Sequence, residues 1–167
     1  LENIIDGRNF GYSSSTTFAG GAAGEAGGVF DRNDTFGFFA DVNLGGALSR
    51  NTALQASGKL DIPDSTEMNN TGILIGWFDQ SAISIYGIGF IVGESPSGVG
   101  STEQFRILPQ VRFPDGTVRA GSPLVLTNFP NLDRNWSMQW DPSGGADGEG
   151  RLTTTFDGPG GGAALVD

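Results

Sequence analysis

Between Asn135 and Gly158 the chain reads NWSMQWDPSGGADGEGRLTTTFDG, two alternating stretches around a segment with no regular pattern. Trp136, Met138 and Trp140 alternate with Ser137, Gln139 and Asp141, the period of two expected of a strand with one buried face. From Asp141 to Gly150 the chain holds a proline, four glycines and three acids, which supply the positive φ angles and local hydrogen bonds that a reversal needs. RLTTTF then resumes the alternation. Leu152, Thr154 and Phe156 fall on one face, Arg151, Thr153 and Thr155 on the other, and Asp157-Gly158 marks the next turn. The spacing predicts a two-stranded hairpin with one apolar side.

The rest of the chain is consistent with a protein built from such units. Its 28 glycines and 8 prolines in 167 residues are too many for a helical fold, while 12 Phe and 3 Trp argue against disorder. The length suits one domain over residues 1–167 with a substantial core. LENIIDGRNFGYSSSTTFAGGAAG has little periodicity, so residues 1–23 are expected to form an irregular arm pinned by Phe10, Tyr12 and Phe18. FGFFADVNL, ALQASGKLDI, GILIGWFDQ and AISIYGIGFIVG read as strands, the last two as the most apolar pair, and SPLVLTNF as a further one. Ile73 to Phe78 and Ile83 to Val92 are the predicted cores of that pair. In EQFRILPQVRFPDGTVRAG, Pro109 reads as the interruption of an edge strand, and Pro114-Asp115-Gly116 is a turn. Residues 159–167 are either a tail or a final strand. No constant-period repeat is present, so a propeller or solenoid is disfavoured. The expected class is all-β, a two-sheet antiparallel sandwich.

Charge and absences restrict function. Nineteen acids against nine bases give a net charge of −10, and Lys59 is the single lysine, which argues against nucleic acid and anionic membrane as partners. With no His and no Cys, Ser-His-Asp and Cys-His catalysis, histidine or thiolate metal sites and disulfides are all excluded. Carboxylate chemistry remains. No run approaches the roughly 20 apolar residues of a membrane helix. A chain that begins at Leu1 reads as a segment of something longer.

The Trp-bearing strand, the Asp-Pro Gly-rich turn and the Gly-x-Leu-Thr-x-Thr strand closed by Asp-Gly resemble the late hairpin of concanavalin A-like (laminin G-like) jelly-roll domains. The likeness runs from about Gly24 to Gly158, through the Gly-Glu element at Gly24-Glu25 and through GWFDQ. It implies a jelly roll whose curved sheet presents a glycan site and whose rim loops hold calcium. Some relatives cut polysaccharides with a Glu-x-Asp-x-x-Glu strand. No such cluster occurs here, and Glu25 stands alone as either a structural acceptor or a catalyst.

Three functional classes follow. The first is a non-catalytic carbohydrate-binding module of a secreted or cell-surface protein, taking glycan or polysaccharide on an aromatic platform with polar neighbours. Trp77 and Tyr86 are the platform candidates, with Asp79, Gln104, Arg106 and Arg112 beside them. Trp136 and Trp140 share a face with Met138, which favours burial. A shift of one residue would exchange Trp77 and Phe78 between faces. The second is a structural or adhesive module that packs against neighbouring domains or copies of itself, and the third a glycoside hydrolase, which needs paired acids about 5 to 9 Å apart. Calcium, if bound, would take oxygens from Asp31, Asn33 and Asp34 or from Asp141, Asp147 and Glu149, although the same residues serve turns by local hydrogen bonding.

Overall fold

The computed structural model describes residues 2–4, 10–13, 15, 23–28, 38–40, 49–62, 72–78, 87–94, 104–126 and 132–167. They belong to two compact units, Leu1–Ser49 and Arg50–Asp167. All regular structure among the described residues is β, and all of its strand pairing is antiparallel.

Among its described residues the first unit holds four short strands, β1 (Glu2–Ile4), β2 (Phe10–Ser13), β3 (Glu25–Gly28) and β4 (Phe38–Ala40). β1 pairs with β4 and β2 with β3, so two stretches of the expected irregular arm are strands. They are too short for alternation to reveal them, and pairing with distant segments is what makes them regular. Glu25 opens β3, half-buried and opposite Ser13.

The second unit is a β-sandwich. Its strands are β5 (Leu54–Ile62), β6 (Gly72–Phe78), β7 (Gly87–Glu94), β8 (Phe105–Arg112), β9 (Val118–Ala120), β10 (Leu124–Leu126), β11 (Leu132–Asp141), β12 (Arg151–Phe156) and β13 (Gly162–Val166). One sheet runs β10-β8-β7-β6 with β9 also on β8, and the other runs β13-β12-β11-β5. The predicted hairpin is the centre of the second sheet: Trp136 pairs with Phe156, Met138 with Thr154 and Trp140 with Leu152. Residues 162–166 form a final strand rather than a tail.

Alternation decides which faces meet. Phe90, Val92, Phe105, Ile107 and Val111 from one sheet and Leu132, Met138, Trp140, Leu152 and Phe156 from the other form a single buried cluster. Each such side chain contributes about 1.5–3 kcal/mol by leaving water. Phe90 is fully buried within it, edge-on to Trp136 at 5.3 Å and to Phe156 at 5.1 Å, geometry that the ring quadrupole favours.

Pro109 does not mark an edge. β8 lies inside its sheet, with Pro109 buried opposite Phe90 of β7. On the other side of β8, β10 covers Phe105 to Ile107 and β9 covers Gln110 to Arg112. Pro109 falls in the gap between them, where its carbonyl accepts the Gly121 N–H at 3.0 Å and its missing donor leaves no ladder bond unmade.

Candidate functional site

The residues picked out by pattern lie in separate surroundings. Trp77 pairs with Ile88, half-buried, and with Ile73 and Ile75 packs against the core, so the alternative that turns Trp77 inward is the one adopted. Gln104 is half-buried just before β8; Arg106 and Arg112 lie on the face of β8 opposite to Ile107 and Val111, facing Gly93 and Gly87 of β7. Six residues of strand put the Cα atoms of the two arginines about 20 Å apart. Asp79 and Tyr86, like Asp31, Asn33 and Asp34, lie outside the described residues.

The three acids of the β11–β12 loop have separate tasks. Asp141 Oδ1 accepts both the backbone N–H and the hydroxyl of Ser143, each at 3.0 Å. The Ser143 N–H is the main reason its carboxyl lies below the ordinary range. Glu149 forms an ion pair with Arg119 on β9, and Asp147 is exposed. Among the described residues no three acids converge where a metal could sit.

Where this loop approaches the end of the β8–β9 hairpin, the second unit has an open groove of about 570 Å³. The hairpin is built by local chemistry. Gly116 N–H bonds to Phe113 O at 2.9 Å and Phe113 N–H to Thr117 O at 2.8 Å, with Gly116 at φ 85°, the pattern of a three-residue loop whose last residue is left-handed. Asp115 Oδ1 accepts the Thr117 N–H at 2.9 Å, the leading cause of its depressed pKa, and Arg50 adds a smaller electrostatic contribution. Arg119 pairs with Val111, and Phe113 is two residues beyond Val111, so alternation puts Arg119 and Phe113 on one face.

Two guanidinium groups therefore meet one ring. The Arg119 Cζ is 5.0 Å and the Arg50 Cζ 4.8 Å from the centre of Phe113, each contact worth about 0.5–1 kcal/mol at an exposed site. Arg50 is fixed through its backbone: its carbonyl accepts the indole N–H of the buried Trp140 at 2.8 Å. Asn51, Thr117 and Pro142 complete the walls. The groove thus offers planar cationic donors and hydroxyl, amide and carboxylate groups. Asp115 is held ionised and Glu149 is ion-paired.

Arg50, Phe113 and Arg119 were not singled out by pattern. The turn at Pro114-Asp115-Gly116 between two arginine-bearing strands was the available signal for two of them. Compared with known proteins, the chain matches no family model, no curated protein and no solved structure, so the functional reading rests on its own residues.

Proposed function

We propose that this protein is a non-catalytic, lectin-like carbohydrate-binding module on a concanavalin A-like jelly roll, displayed on or secreted from a cell. The observation that carries the reading is the groove at Phe113, where Arg50 and Arg119 are ordered on one ring and surrounded by polar groups. Sugar hydroxyls are recognised by planar, bidentate side chains held at fixed positions, and ordering them before binding lowers the entropy lost on association. The volume suits one or two sugar rings, within the usual range of small-molecule sites. The proposed site is thus the hairpin end rather than Trp77, whose packing against the core favours a structural role.

The test is retention on immobilised polysaccharides of plant, algal and microbial origin, for wild type and for a folded double variant, Arg50→Gln with Arg119→Gln. Binding by the wild type and at least a tenfold loss in the variant supports the module. Equal binding by both would move the site elsewhere. Release of reducing sugar would make it a hydrolase, and concentration-dependent self-association without glycan binding would make it a structural or adhesive module.

A further inference from the structure

We infer that the groove is selective for a sugar bearing a carboxylate, a uronic acid, and that Glu149 occupies the carboxylate's position until ligand arrives. This rests on the carbohydrate-binding reading above. The chain itself shows which group Arg119 accepts, since the Glu149 carboxylate pairs with its guanidinium at the groove wall. That pair is open to solvent, with side-chain exposures of 38% for Arg119 and 53% for Glu149. Exposed pairs of this kind contribute about 0–1 kcal/mol, so a second carboxylate can replace the first at little cost.

Glu149 is also carried by a turn rather than by a paired strand. It lies between Gly148 and Gly150, at φ 68° and 106°, in the turn-rich stretch after Asp141. Arg119 by contrast is held in a paired strand and against Phe113. The fixed partner is the cation and the displaceable one is the anion, the arrangement of a site that exchanges carboxylates. Arg50, on the same ring and with no ion pair among the described residues, adds a second planar donor set for the same group or its neighbouring hydroxyl. A guanidinium fork matches a carboxylate's two oxygens.

The net charge of −10 opposes a polyanion at long range. At about 0.15 M salt that field is screened beyond about 8 Å, so the comparison belongs at that ionic strength. Affinities would be measured by calorimetry for oligogalacturonate, a neutral galactan fragment of equal length and a sulfated galactan fragment. The variants are Arg119→Gln, Glu149→Gln and, as a control that removes one acid outside the groove, Asp133→Asn.

Oligogalacturonate is expected to bind at least tenfold more tightly than the neutral fragment and more tightly than the sulfated one. Arg119→Gln should remove that preference. Glu149→Gln should strengthen uronate binding several-fold while Asp133→Asn does not, because only the former removes the competing carboxylate. Equal affinity for uronate and neutral fragments, or a preference for sulfate, would overturn the carboxylate assignment and leave the module standing. Weaker or unchanged binding by a folded Glu149→Gln variant, or equal strengthening by Asp133→Asn, would overturn the displacement. Binding of none of the three fragments, with no retention on any polysaccharide, would overturn the underlying module reading instead.

Discussion

The indole of Trp140 lies against the backbone of Gly150, so that a Cβ added at Gly150 would fall 2.1 Å from Cη2 and 2.2 Å from Cζ2. Trp140 is the largest fully buried side chain of the sandwich, and its N–H is anchored on Arg50. Gly150 has φ 106°, a region in which an L side chain is strained. The loop therefore needs glycine here twice over, for space and for backbone angle. Gly150→Ala should destabilise the protein by about 2–4 kcal/mol, the range for overpacking plus an unfavourable φ. Urea unfolding followed by tryptophan fluorescence checks it, and an unchanged midpoint would show that the ring has room to move.

Thr154 gives the opposite sign. It is fully buried on β12 between Met138 and Ala164, and its hydroxyl has no hydrogen-bond partner among the described residues. An unsatisfied buried hydroxyl costs about 1–3 kcal/mol. Valine has the same shape and nothing to satisfy. Thr154→Val is expected to raise stability by about 1 kcal/mol or more, read as a higher denaturant midpoint at unchanged slope. A lower midpoint would mean that the hydroxyl has a partner.

The hairpin around Trp140 was legible because each of its two strands alternates over at least six residues and its loop concentrates turn residues. The place of β8 was not. Pro109 argues for an edge wherever a strand must bond on both sides, and only the gap between β9 and β10 removes that requirement. The groove was half legible for a similar reason. Phe113 and Arg119 are joined by a turn visible in the sequence, whereas Arg50 and Glu149 come from segments far away in the chain, and no local pattern links them. Trp77 illustrates the limit of alternation: the period tells which residues share a face, and packing decides which face is covered.

Acid should weaken the fold through its turn and strand-end carboxylates. Asp157 accepts the Asn135 N–H at 3.0 Å and its amide at 2.7 Å, and the side-chain bond is the main cause of its lowered pKa. Asp115 and Asp141 are lowered first by the backbone N–H groups of Thr117 and Ser143, and Asp167 by the Arg151 side chain. A carboxyl with a lowered native pKa takes up its proton after the unfolded chain does. Its stabilisation is thus full above the unfolded value of about 3.9 and is lost as pH falls through the lower native value. The melting temperature should decline below about pH 4, and Asp157→Asn should make the decline shallower. A decline of the same steepness in the variant would remove Asp157 from the account.

Phe113 is the residue on which the binding reading can be tested without touching a charge. Its ring holds the Arg50 and Arg119 guanidinium groups at 4.8 and 5.0 Å, and it packs partly buried against the core. Phe113→Leu keeps an apolar side chain there and removes the π face. If the two contacts contribute about 0.5–1 kcal/mol each, releasing both arginines should weaken glycan binding by about tenfold, since 1.4 kcal/mol is one decade. The loss should appear mainly as faster dissociation, because the long-range field that guides encounter is unchanged. Surface plasmon resonance on the retained polysaccharide, with circular dichroism to show that the fold persists, measures both rates. Unaltered dissociation from a folded Phe113→Leu variant would show that the arginines do not need the ring, and the ordering assigned to it would have to come from Glu149 and the Trp140 anchor.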